Sequence, residues 1–239
     1  MARIGLEVAV DSPAGLAAAV AGGADRVELC AALELGGLTP APGLVAQARD
    51  CGLPVFAMIR PRAGDFVFDA AEVEAALADI AAMRAAGLAG VVIGAARPDG
   101  ALDEGVLARM VAAAGPLAVT LHRVFDLVPE QSAALEVAVR LGIGRVLTSG
   151  GATRAVDGAA QIAALVAQAR GRIGILPGAG ITPDNVAALV AATGVVEVHA
   201  SCAVSLPQDP DAVALGFCGP VRRQTDAETV RKMRAALAA

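Results

Sequence analysis

The sequence predicts a (β/α)8 barrel, and three observations carry that prediction. Short β-branched runs alternate with longer Ala/Leu-rich stretches, Gly, Pro or Asp marks nearly every junction, and the alternation repeats eight times within 239 residues. Eight β-then-α units in a chain of this length match a closed barrel better than an open doubly wound sheet. Strands are expected at 4–10, 25–30, 54–60, 89–94, 117–123, 144–148, 173–176 and 195–200, with helices at 12–22, 41–52, 70–86, 103–114, 130–141, 155–170, 183–192 and 225–238. Ser12-Pro13 and Thr182-Pro183 each read as an N-cap followed by proline in the first helical turn. No low-complexity linker divides the chain, so residues 1–239 are expected to form one domain. The irregular segment is 201–224, with three prolines and no clear period, which suits a lid or an interface arm for a homo-oligomer.

Composition narrows the function classes. At 56% hydrophobic and 18% charged, the chain has enough apolar surface to fill a core and is not disordered. Charges, Gly or Pro interrupt every apolar run before the roughly 18 residues a spanning helix needs, so no membrane partner is expected. The first residues meet Glu7 before a signal-peptide core forms, which points to the cytoplasm. The net charge is −5, Lys232 is the lone lysine, and Trp and Tyr are absent, so neither a basic stripe nor a stacking platform is offered to nucleic acid. Cys30, Cys51, Cys202 and Cys218 form no C-x-x-C pair and are expected as free thiols in a reducing compartment.

Strand side chains alternate faces, so phase separates the barrel axis from the helices. In the first strand Leu6, Val8 and Val10 face the helices and Gly5, Glu7 and Ala9 the axis; in the second, Val27 and Leu29 face outward and Arg26, Glu28 and Cys30 inward. The third strand turns Phe56, Met58 and Arg60 inward with Arg62 just beyond its end, and the fifth turns Ala118, Thr120 and His122 inward. In the eighth, Val196 and Val198 face out and Glu197, His199 and Ser201 face in. Active sites of such barrels sit at the C-terminal ends of the strands. The expected mouth therefore sets Glu7, Glu28, Glu197, Asp65 and Asp126 against Arg60, Arg62 and Arg123, with both histidines of the protein, His122 and His199, among them. Two glycine-bearing loops, Thr148-Ser149-Gly150-Gly151 and Pro177-Gly178-Ala179-Gly180-Ile181-Thr182, open on the same face, either as plain sharp turns or as an anion site.

Several of these stretches carry a family resemblance. Gly23-Ala24-Asp25-Arg26-Val27-Glu28-Leu29-Cys30, Gly36-Gly37-Leu38-Thr39-Pro40, Ile59-Arg60-Pro61-Arg62-Ala63-Gly64-Asp65-Phe66 and Thr120-Leu121-His122-Arg123-Val124-Phe125-Asp126 occur in order. Leu147-Thr148-Ser149-Gly150, Pro177-Gly178-Ala179-Gly180-Ile181 and Glu197-Val198-His199-Ala200-Ser201 follow them. In this set the sequence resembles the CutC family, known as copper homeostasis proteins. The resemblance implies a TIM-like barrel, a cytoplasmic setting and a role in handling copper as Cu(I). It also implies cysteines shortly after the first-strand glutamate and at the end of the second strand; here the second is Cys30 and the first position is Ala9. Because Cu(I) prefers two or three soft ligands together, the expected site adds Cys202 and His199 to Cys30, with Met58 nearby.

Two function classes thus stand side by side. One is a metal-handling barrel binding copper through Cys30 and Cys202. The other is an enzyme acting on a small carboxylated or phosphorylated metabolite. There Arg60, Arg62 and Arg123 would hold the anion, aided by Asp65, Asp126, Ser149, Gly150, Gly178 and Gly180. Glu7 or Glu28 would serve as acid or base and His122 or His199 as proton shuttle. No Ser-His-Asp order, metalloprotease helix, P-loop or G-x-G-x-x-G motif favours another chemistry.

Overall fold

The computed structural model describes residues 3–238. The barrel units are β1 (Gly5–Val10) with α1 (Pro13–Gly22), β2 (Arg26–Leu29) with α2 (Pro42–Ala48), β3 (Val55–Met58) with α3 (Ala70–Ala85) and β4 (Gly90–Ile93) with α4 (Glu104–Ala114). They continue as β5 (Ala118–Leu121) with α5 (Gln131–Arg140), β6 (Arg145–Thr148) with α6 (Ala159–Ala169), β7 (Gly174–Pro177) with α7 (Val186–Thr193) and β8 (Glu197–Ala200). Seven parallel ladders join the strands in the order β7-β6-β5-β4-β3-β2-β1-β8, and β7 packs beside β8 to complete a nearly closed (β/α)8 barrel.

The alternation of faces explains where the core sits. Leu6, Val8, Val10, Val27, Leu29 and Val198 lie in one continuous apolar layer between strands and helices, whereas Cys30, Phe56, Met58 and Val92 form a small separate cluster on the axis. Val196 precedes β8 and is exposed rather than packed in that layer. The first helix starts as its sequence predicts, with Ser12 Oγ accepting from the Gly15 N–H and Pro13 in the first turn. The helix expected from Pro183 instead begins at Val186, because Asn185 folds back to accept from the Thr182 N–H and donate to the Gly180 carbonyl.

The segment 201–224 is not irregular. It opens a two-stranded antiparallel arm, β9 (Ala203–Pro207) and β10 (Val221–Thr225), with the short helix α8 (Pro210–Ala214) between them, and α9 (Ala227–Ala238) follows as the helix that closes the ring against α1. Thr225 anchors the arm by donating its hydroxyl hydrogen to the Ala9 carbonyl at 3.1 Å, while Leu215 and Phe217 at its far end are exposed. No helix of the described residues is long and apolar enough to cross a membrane.

Candidate active site

Parallel register stacks the inward side chains in two layers. The lower layer begins where Glu7 lies opposite Arg26, Gly5 opposite Glu197 and Thr120 opposite Arg145. Arg26 bridges Glu7 and Glu197, the latter at 2.9 Å. Arg145 takes the other oxygen of Glu197 at 2.6 Å and donates to Thr120 Oγ1 at 3.3 Å. Both guanidiniums stack on Phe56, at 5.2 and 5.4 Å from its ring centre. Gly90 leaves the room for that ring, since a Cβ there would overlap Phe56 and the Ala118 carbonyl. Charge is thus paired with charge throughout this layer, the condition under which buried ions are tolerated.

The upper layer lines a cavity of about 390 Å³ that includes Glu28, Met58, Arg60, Phe66, His122, Arg123, Asp126 and His199. His199 Nδ1 meets Glu7 Oε1 at 2.8 Å, and its Nε2 faces Glu28 Oε2 at 3.8 Å. Burial alone would raise the Glu7 pKa, but the His199 hydrogen bond and the charges of Arg26 and His199 outweigh it and bring the group down to about 2. The ionised Glu7 thereby fixes the imidazole with its Nδ1 proton toward the carboxylate and Nε2 toward the cavity. Burial opposes a charged His199, yet Glu28 and Glu7 together raise its pKa above the ordinary value. Glu28 moves the other way from Glu7: burial pushes its pKa up, and the attraction of His199 does not cancel this. Two carboxylates 21 positions apart in sequence therefore sit on one imidazole with opposite proton affinities, the pattern of an acid–base site.

Arg60 follows β3, where its N–H bonds Thr39 Oγ1. Its guanidinium donates to the carbonyls of Leu35, Gly37 and Gly64 at 2.8, 3.2 and 2.7 Å and lies 4.8 Å from the centre of the Phe66 ring. Gly37, at φ +86°, turns its carbonyl to Arg60 in a conformation few side chains adopt, and a Cβ there would lie 3.1 Å from Cys30 Sγ. No carboxylate pairs with Arg60 among the described residues, and burial followed by repulsion from Arg62 lowers its pKa. His122 follows β5. Its Nδ1 accepts from the Val124 N–H at 3.1 Å, so the neutral ring carries its proton on Nε2. Burial and then the Arg60 charge depress its pKa to about 3.

The remaining expected residues divide between this cavity and other contacts. Arg62 is taken by Glu72, Asp65 and the Val67 carbonyl and stacks on Phe68, so it and Asp65 hold the loop rather than line the cavity. Arg123 pairs with Asp126 at 2.7 Å and donates to Ser149 Oγ at 2.8 Å. The loop Thr148–Gly151 does form an anion nest, filled from within: the Asp126 carboxylate accepts from the Thr148 hydroxyl and the N–H groups of Ser149 and Gly151. Gly150 is packed tightly against the Gly158 backbone. Gly178 gives space to Leu147 and to His199, whose Cδ2 would be 3.2 Å from an added Cβ, and Gly180 does the same for Arg154.

The Cys/His/Cys set expected for Cu(I) does not assemble. Cys30 belongs to the axial cluster, while Cys202, in a left-handed conformation after β8, packs in the layer between strands and helices. Burial pushes the Cys202 thiol up to about 12. Burial, then the charge and hydrogen bond of Glu28, also raise the Cys30 thiol, so neither is poised as a thiolate. Among the described residues the single convergence of three possible metal donors is Glu7, Glu28 and His199. These are hard and borderline donors, and two of them are already committed to each other and to Arg26.

Two contributors to the interior carry little signal in strand phase. Arg145 lies at the first position of β6, and its ion pair with Glu197 is a long-range contact that periodicity cannot show. Gly94 follows β4 and makes room for His122, since a Cβ there would overlap the imidazole; the sole sequence signal is a glycine ending a Val-Val-Ile run.

Comparison with known proteins agrees with this architecture. A model of the CutC family matches residues 4–204. The chain is 56% identical over 238 residues to a family protein CutC from Sinorhizobium medicae (strain WSM419), spanning 99% of this chain and 97% of that one. It is 55% identical over 240 residues to one from Caulobacter vibrioides (strain NA1000 / CB15N), spanning 98% of each. Among solved structures it is similar to CutC from Streptococcus agalactiae, assigned by name to copper homeostasis, with a TM-score of 0.80, 29% identity and coverage of 83% of this chain and 98% of that one. The chain belongs to the CutC family.

Proposed function

We propose that this protein is a cytoplasmic enzyme that moves a proton on a small anionic metabolite held in the barrel mouth. One observation carries the reading. Among the described residues four buried side-chain polar atoms lack a hydrogen-bond partner, and three of them, Glu28 Oε1, Arg60 Nε and His122 Nε2, belong to residues lining one cavity. Each such orphan costs on the order of 1–3 kcal/mol, and buried polar groups are otherwise almost always satisfied. Three on residues of one cavity support the reading that the cavity takes a ligand.

The roles follow from chemistry already described. Arg60 holds the anionic group. Glu28 and His199 face each other across 3.8 Å on one side of the cavity, so one takes a proton from a C–H beside a carbonyl while the other returns one. The C–H electron pair becomes a C=C bond, the carbonyl π pair moves to oxygen, and the neutral His122 supplies an Nε2–H to the developing charge. Return of the proton at another atom, or on the other face, completes an isomerisation with all atoms conserved.

Solvent deuterium exchange tests this even while the product is unidentified. A panel of small carboxylated and phosphorylated carbonyl compounds is incubated in D2O with wild type and with Glu28→Gln. Exchange catalysed by wild type and lost in the variant is expected; no exchange into any compound, or equal exchange by the variant, overturns the reading.

Copper handling, suggested by the name of the Streptococcus agalactiae relative, finds one soft pair here. Cys30 Sγ and Met58 Cε both crowd the point beside Gly37, at 3.1 and 3.4 Å from where its Cβ would lie. A protonated thiol and a thioether are a poor Cu(I) site without a second thiolate, so the residues do not fit resident copper. Copper as cargo predicts tight Cu(I) binding lost in Cys30→Ser.

A further inference from the structure

The charges around the cavity limit what its ligand can be. Its titratable lining residues are Glu28, Arg60, His122, Arg123, Asp126 and His199. His122 is neutral above about pH 3, and Arg123 and Asp126 cancel at 2.7 Å. Beneath them Arg26 and Arg145 cancel Glu7 and Glu197. Glu28 and His199 face each other at 3.8 Å, and a carboxylate–imidazole pair carrying one titrating proton on either member adds no net charge. Arg60 is left as one full positive charge, since the three carbonyl oxygens it bonds supply dipoles and no net charge.

The donors of Arg60 agree with the charge count. A guanidinium has five N–H groups. Three are spent on the carbonyls of Leu35, Gly37 and Gly64, which leaves two, one of them on the unpartnered Nε. Two donors match the two oxygens of one carboxylate in fork geometry. A phosphate dianion would need more positive charge than remains, and the nest that backbone N–H groups could offer it is filled by Asp126. The rest of the lining is apolar, with Leu33, Leu35, Leu127 and Leu147 together with Met58 and Phe66.

We infer that the substrate is a monocarboxylate with an apolar body, its carboxylate forked on Arg60 and its side chain against the apolar lining. This rests on the acid–base reading of the cavity and adds the charge and shape of the molecule it takes.

Calorimetric titration of the full-length protein tests it, with signals of the two histidine rings followed by NMR. The probes are 4-methyl-2-oxopentanoate, its uncharged amide, the dicarboxylate 2-oxoglutarate, and inorganic phosphate. The monocarboxylate should bind at least tenfold more tightly than each of the others and shift both rings, and Arg60→Gln should cost it at least tenfold. The amide comparison on wild type carries the same information if that variant folds poorly. Tighter, Arg60-dependent binding of 2-oxoglutarate or phosphate would overturn the monocarboxylate assignment and leave the cavity's role standing. If no probe perturbs either ring, both fall.

Discussion

The two layers of the barrel interior use the same residue types to opposite ends. Below, Arg26, Arg145, Glu7 and Glu197 satisfy one another and clasp Phe56. Above, Glu28, Arg60 and His122 each keep a buried polar atom without a partner. Buried charge that is paired fixes a shape, whereas buried polarity left open costs stability and persists where a ligand repays it. Glu7 belongs to both layers: it is locked by Arg26 from below and orients His199 above.

The comparison breaks most sharply on chemistry. Glu28→Gln should slow any solvent exchange the protein catalyses by about 10²–10⁴-fold, the range for losing a positioned acid–base group, while its stability stays near wild type. Removing Arg26 should do the reverse in kind. Arg26→Met leaves Glu7 without its guanidinium in a dry site and should cost about 3–5 kcal/mol in denaturant unfolding; a cost below about 1 kcal/mol would show that the lower layer does not hold the barrel together.

Acidification separates the layers by sign. The Glu7 pKa is depressed to about 2, so its contribution is present above the unfolded carboxylate value near 4.3 and is lost as pH falls toward 2. By linkage this is about 3 kcal/mol. His199, with a raised pKa, contributes stability below its unfolded value that fades as pH rises through its folded one. With two histidines in the chain, ring NMR resolves both: His199 should titrate above the ordinary histidine range, and His122 should stay neutral until about pH 3. A His122 ring titrating near 6.5 would contradict its placement as a buried neutral donor.

Smaller effects sharpen the boundary. Gly94→Ala should displace the His122 ring and destabilise by about 1–3 kcal/mol, visible as a shifted ring resonance. Cys202→Ser should leave Cu(I) affinity unchanged, because Cys202 packs outside the axis; a large loss in an anaerobic competition titration would require the segment after β8 to turn inward.

Much of this interior is legible from phase alone. Alternation with apolar outward residues such as Val8, Val27 and Val198 places Glu7, Glu28, Arg60, His122 and His199 on the axis, because a parallel strand buried on both faces keeps its period of two. Alternation gives a face but no partner. It cannot tell that Arg62 is captured by Glu72, ten residues along, or that Asp126 fills the glycine nest after β6. Nor can it separate Cys202 from Cys30, since the left-handed turn at Cys202 takes that residue out of strand phase. The arm of β9 and β10 is hidden from it because exposed strands lack the apolar alternation that marks buried ones, as Arg222 and Arg223 illustrate.

The matched pair Glu7→Gln and Glu28→Gln, unfolded side by side in denaturant, bears on the division between paired and open layers with the least ambiguity. Both substitutions are isosteric, both sites are buried, and both residues touch His199. We expect Glu7→Gln to lose about 3 kcal/mol and Glu28→Gln to be neutral or slightly stabilising. Equal losses at the two positions would mean that Glu28 is a structural ion like Glu7, and that the open upper layer is not kept for a ligand.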